Sequence, residues 1–173
     1  LNGTGGQSFT ATITGEIVSI EIASDIVYTG TLKIFSGSGT GGTELHSQSV
    51  NMVDNVTNNT TYTFQTFTLS NPVAITSGNT YTFQISNSKL LYSTNTYAGG
   101  TIFESGSQYT TLDLIFKVNQ QPPNTAPVIA STTAGQGVND TSTISPFSAI
   151  TTTDADGDNL SATITLDTNA KGV

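Results

Sequence analysis

Three carboxylates alternate along one short stretch, Asp154-Ala155-Asp156-Gly157-Asp158-Asn159, a local concentration of hard oxygen donors. Flexible loops of this kind suit Ca²⁺, which takes roughly six to eight oxygen ligands, better than Mg²⁺, which demands a strict octahedron. Without a cation the three charges repel one another. An EF-hand does not fit, because its sixth loop position should be Gly and is Asn159, and its twelfth should be Glu and is Thr165. The alternative to a calcium loop is a solvated acidic turn between two strands. Asp113, out of phase with Leu112 and Leu114, is expected to face away from the core. It is a candidate second calcium ligand, with an ordinary surface carboxylate as the commoner reading.

A second group of side chains suits sugar recognition. Tyr92, Tyr97 and Tyr109 lie in a Gly- and Ser-rich stretch with Asn95, Glu104 and Gln108 nearby. Pyranose faces stack on aromatic rings, while amides and carboxylates bond the hydroxyls. Trp, the ring most useful on crystalline polysaccharide, is absent. The competing reading is that these tyrosines cap the ends of a sandwich, half buried with wet hydroxyls, as Tyr at loop ends commonly does.

Other chemistries find little support. The single histidine, His46, sits in a strand pattern beside Ser47 and Ser49, and no G-x-S-x-G elbow occurs. Gly37-Ser38-Gly39-Thr40-Gly41-Gly42 matches a nucleotide fingerprint in letters, but the run after it reads as a strand, whereas a pyrophosphate needs a helix N-terminus. Those glycines instead supply positive φ in a hairpin loop. A carboxylate pair for glycoside hydrolysis is not singled out, so the chain is read as non-catalytic, with a hydrolase fragment as the third alternative. Four lysines face twelve acids, for a net charge of −8, with no basic cluster for nucleic acid. Cysteine is absent, and no apolar run approaches the roughly 18 residues that span a bilayer. The start at Leu1 rather than Met is expected of a processed or excised piece.

The elements that position these groups are strands. Only 35% of residues are hydrophobic and 9% charged, yet aromatics and β-branched residues recur throughout, which favours half-buried strands over disorder. Phe9, Ala11 and Ile13 alternate with threonines; Val18, Ile20 and Ile22 alternate with Ser19 and Glu21. Leu32 and Ile34, Leu45 to Met52, Tyr62 to Leu69, Tyr81 to Ile85, and Leu112 to Val118 continue the pattern. No segment supplies a crossover helix, so pairing is antiparallel and the fold class is all-β, a β-sandwich of jelly-roll-like type. Tyr-Thr-Phe-Gln occurs at 62–65 and 81–84, but the flanks differ and no internal repeat is inferred. The proline-bearing stretch 119–127 reads as a semi-rigid linker between a module at 1–118 and a second β-sandwich cut short at 128–173. In the latter, Ile144, Phe147 and Ile150 precede the acidic loop, and Ala162, Ile164 and Leu166 follow it.

Asn124-Thr-Ala-Pro127, a Phe147-containing strand and the run from Asp154 through Leu166 resemble the cadherin-like and VCBS-like repeats of large bacterial surface proteins. That resemblance implies calcium held by Asp154, Asp156 and Asp158, with further ligands supplied by neighbouring repeats. Residues 6–20, 30–42, 67–86 and 113–118 resemble a jelly-roll module of secreted bacterial proteins, similar in fold to carbohydrate-binding modules. Together these imply an extracellular module of an adhesin or polysaccharide-active protein. Its expected partners are polysaccharide and adjacent domains of the same parent chain; the alternative is a purely structural spacer.

Overall fold

The computed structural model describes residues 2–58, 61–94, 97–139, 141–145, 147–163 and 165. The described residues form strands, turns and irregular segments, with no helix, and none of them forms a helix long and apolar enough to cross a membrane. The chain divides into two compact units, Leu1–Pro123 and Asn124–Val173.

The first unit contains β1 (Asn2–Thr10), β2 (Gly15–Ile22), β3 (Tyr28–Ser36), β4 (Glu44–Met52), β5 (Val56–Thr57), β6 (Thr61–Tyr62) and β7 (Gln65–Ile75). These are followed by β8 (Thr80–Lys89), β9 (Tyr92–Thr94), β10 (Ile102–Glu104), β11 (Ser107–Tyr109), β12 (Leu112–Leu114) and β13 (Phe116–Gln121). A six-stranded antiparallel sheet in the order β11-β10-β1-β8-β3-β4 packs on a three-stranded one, β13-β2-β7, as a β-sandwich. Between them lies one core: Phe9, Leu32, Ile34, Phe83, Ile85 and Ile102 from the larger sheet meet Ile17, Ile20, Ile22, Phe67, Leu69 and Val73 from the smaller. Period-two alternation is what puts these side chains on the inner faces.

Departures from simple alternation have local causes. Ile17, Ser19, Ile20 and Ile22 are buried and Val18 only half-buried, because the register against both β7 and β13 shifts at this point in β2. The extra residue of such a β-bulge flips the phase, which corrects the expectation that Val18, Ile20 and Ile22 share one face. On β7 the register jumps from Thr68 to Val73, and Pro72, which has no N–H to give a ladder, falls in the unpaired stretch. β1 ends at Thr10, short of Ile13. β13 carries pairing on to Gln121, so 119–121 belong to the sandwich and the boundary falls after Pro123.

β8 is covered on both faces. Its outward Thr82 is buried beneath the 37–42 loop, where its Oγ1 donates to the Gly37 carbonyl at 2.8 Å and accepts from the Gly39 N–H at 2.7 Å. Gly39 has φ +83°, and a Cβ there would stand 3.1 Å from the Phe103 ring. The glycine-rich loop is a flap folded on its own sheet, its Gly39 amide already used.

In the second unit, β14 (Val128–Ala130) pairs antiparallel with β15 (Thr151–Thr153). Ile144 lies in an irregular segment and Phe147 in a turn, not in the expected strand, with Ile150 N–H donating to the Phe147 carbonyl at 3.2 Å. Ala162 is outside any strand, and Ile164 and Leu166 lie outside the described residues. Every described residue of this unit is exposed except Ile150 and Asp154, which are half-buried. Its apolar side chains, among them Val128, Ile129 and Phe147, therefore have no core of their own among the described residues.

Candidate functional site

An open groove of about 590 Å³ runs along β13, backed by the buried side chains of Phe9 and Leu114. Tyr62, Phe64, Tyr97 and Phe116 line it with rings, and Thr10, Thr12, Ser93, Lys117 and Gln120 with polar groups. Its aromatic end is built by the connection from β6 to β7. The Thr63 N–H donates to the Asn55 carbonyl at 3.0 Å and fixes that short link. Tyr62 and Phe64 then meet edge-on, centroids 5.6 Å apart at 82°, with Tyr62 39% exposed. Edge-to-face pairing fixes the two rings relative to each other, and the exposed part of Tyr62 offers aromatic surface at this end of the groove.

Lys117 pairs with Glu21 across β13 and β2. Its Nζ lies 3.0 Å from the Glu21 carboxylate and 4.3 Å from the Phe64 ring centroid, a cation–π distance. The Asn119 amide donates to Glu21 Oε1 at 2.9 Å and to Ser19 Oγ at 2.7 Å. The Asn119 hydrogen bond first, and the Lys117 ammonium second, hold the Glu21 carboxyl below its ordinary range. Among the described lining residues there is no Asp, Glu or His.

Tyr97 is tied down at three points. Its ring meets Phe116 edge-on at 5.4 Å, its hydroxyl accepts from the Thr10 N–H at 3.0 Å, and its own N–H donates to Asp113 Oδ2 at 2.8 Å. Asp113 is only 1% exposed, which corrects the expectation that it faces away from the core. Its Oδ1 accepts from Gln7 Nε2 at 3.0 Å, and Gln7 Oε1 accepts from the Leu114 N–H at 3.0 Å. Both oxygens of Asp113 therefore hold the protein together, since a buried carboxylate needs donors of this kind to offset its lost hydration. At the groove's other end, Gln120 Oε1 accepts from the Thr12 N–H at 3.0 Å.

Of the residues singled out by sequence for ligand contact, Tyr97 lines the groove. Tyr92 is 47% exposed on β9, but its neighbour Ser93 supplies the lining. Glu104, Gln108 and Tyr109 form the β10–β11 hairpin on one edge of the six-stranded sheet, where Gln108 Nε2 donates to Thr101 Oγ1 at 2.9 Å. None of these three lines the groove. Asn95 lies outside the described residues. Tyr62, Phe64, Lys117 and Gln120 are among the lining residues that the sequence candidates did not include. The signal available was the polar run Thr57-Asn-Asn-Thr-Thr61 immediately before Tyr62, which marks Tyr62 and Phe64 as the outer end of an otherwise core-facing pattern.

The acidic loop folds as a turn. Asp154 Oδ1 accepts from the Asp156 N–H at 2.8 Å and lies 3.5 Å from the Asp158 nitrogen, while Asp156 Oδ2 accepts from the Thr125 N–H. Gly157 follows with φ +77°. Among the described residues no three His, Cys, Asp or Glu side chains converge where they could hold a metal. The donor types suit Ca²⁺, but their arrangement is that of a self-capped turn. His46 is buried on β4, its Nε2 2.9 Å from Gln48 Oε1.

Compared with known proteins, the chain matches no family description, no curated protein and no solved structure, so the groove's own geometry is the ground for any functional reading.

Proposed function

We propose that the first unit is a non-catalytic, extracellular carbohydrate-binding module of a surface adhesin or secreted polysaccharide-active protein. The observation that carries this reading is the groove on β13. It sets the Tyr62–Phe64 ring pair and a fixed Tyr97 around hydroxyl, amide and ammonium groups. Sugars ask for this mixture, with apolar ring faces against aromatics and hydroxyls against Thr10, Ser93, Lys117 and Gln120. A volume of about 590 Å³ falls within the range of small-molecule sites, and its openness along the strand suits a chain rather than an enclosed monomer. The described lining residues supply stacking rings and hydrogen-bonding groups, a set that suits binding.

The second unit is read as a calcium-responsive neighbour. Asp154, Asp156 and Asp158 place three carboxylates on one short turn, and a cation drawing in their remaining oxygens would offset the repulsion between them.

A glycan array probed with the full chain tests the module. Signal is expected on polysaccharide chains and is expected to disappear in Phe64→Ala and Tyr62→Ala while their melting curves stay close to wild type. No signal across a broad array from a folded protein would reject the reading in favour of a structural spacer.

A further inference from the structure

Resting on the glycan-binding reading above, we propose that the groove selects uncharged polysaccharide, such as unsubstituted glucan or mannan, over chains bearing uronate or sulfate. Of four lysines in a chain with twelve acids, Lys117 lines this groove. Its charge is already answered. Lys117 Nζ lies 3.0 Å from Glu21 Oε2, and Asn119 anchors the other Glu21 oxygen at 2.9 Å. Glu21 thus stays ionised at neutral pH, and the pair presents no net charge to a ligand. An anionic sugar seated beside Lys117 must either displace Glu21 or lie against its carboxylate, and like charges at such range repel.

The wider field acts in the same direction. A chain of net charge −8 repels a polyanion before contact, over a Debye length of about 8 Å at physiological salt. A neutral hexose chain meets neither obstacle. It needs the Tyr62 and Phe64 rings for its apolar faces, and the hydroxyls of Thr10 and Ser93 with the Gln120 amide for its own hydroxyls. Lys117 still donates hydrogen bonds to neutral oxygens while paired, because an ammonium has three N–H groups. Binding of this kind releases no counterions and is insensitive to salt.

The test is titration calorimetry of the full chain with a β-glucan and a mannan against a polyuronate and a sulfated galactan, at low and high sodium chloride. Wild type is expected to bind a neutral chain at least about tenfold more tightly than either polyanion, with little change on adding salt. Glu21→Gln removes the competing carboxylate and is expected to raise polyuronate affinity several-fold at low salt, an increase that high salt abolishes. Tighter binding of polyanions by wild type, falling with salt, would overturn the proposed selectivity and leave carbohydrate binding standing. Heatless titrations with all four chains would overturn both.

Discussion

Removing the Asp113 carboxylate strands at least two donors among the described residues, Gln7 Nε2 and the Tyr97 N–H. A buried polar group left without a partner costs about 1–3 kcal/mol. Two such groups, less the recovered cost of burying the charge, give about 2–4 kcal/mol for Asp113→Ala. Gln7 Nε2 retains a contact to the Ser8 carbonyl at 3.2 Å, which places the value toward the lower half of that range. Asp113→Asn keeps one accepting oxygen but turns an NH₂ toward the other donor, so its loss is smaller, about 1–2 kcal/mol. Urea denaturation of the two variants measures these losses directly, and the double variant with Gln7→Ala measures their coupling. Because Gln7 and Asp113 serve each other, the double variant is expected to lose less than the sum of the singles. A loss under about 0.5 kcal/mol for Asp113→Ala, the level of an ordinary surface substitution, would refute the claim that this carboxylate is a structural clasp.

Glu21 gives a pH dependence. A carboxyl held below its ordinary value in the folded state stabilises the fold above its unfolded pKa and loses that contribution as pH falls through the folded one. Melting profiles from neutral pH to about pH 3 should therefore show a steeper loss in wild type than in Glu21→Gln; parallel profiles would count against the Asn119 and Lys117 contacts. Gly100→Ala places a Cβ 1.8 Å from the Ser8 carbonyl and is expected to cost about 2–3 kcal/mol or more. Gly78→Ala, with φ +82° and open space, should cost about 1–2 kcal/mol, so equal losses at the two sites would contradict the packing account. Calcium should raise the apparent melting temperature of wild type and leave Asp156→Ala unmoved; superimposable curves in calcium and EDTA would reject the cation at this turn.

Strand content and the antiparallel sandwich were legible because burial on one face imprints a period of two on residues such as Leu32 and Ile34 or Tyr81 to Ile85. What broke that period was not legible. The bulge at Val18 depends on two neighbouring strands at once, and no local composition marks it. Asp113 looked solvent-facing for the same reason: alternation assigns a face but does not say that a Gln and a loop amide cover it. The two Tyr-Thr-Phe-Gln tetrapeptides make the point most directly. At 81–84 the sequence lies inside β8, between β1 and β3, with Tyr81 and Phe83 buried. At 62–65 it spans the end of β6 and the start of β7, with Tyr62 exposed and Phe64 half-exposed. Identical propensities were given opposite environments by strand order, a long-range property. The groove followed from that difference, so only Tyr97 among its rings was anticipated.

Amide chemical-shift mapping of the full chain during titration with the neutral polysaccharide fragment that binds best locates the ligand on the sandwich. Shifts are expected to concentrate on Thr10, Thr12, Ser93, Tyr97, Lys117 and Gln120, the backbone around the groove. Shifts confined to Glu104, Gln108 and Tyr109 on the β10–β11 hairpin, or to none of the first unit's residues, would contradict it.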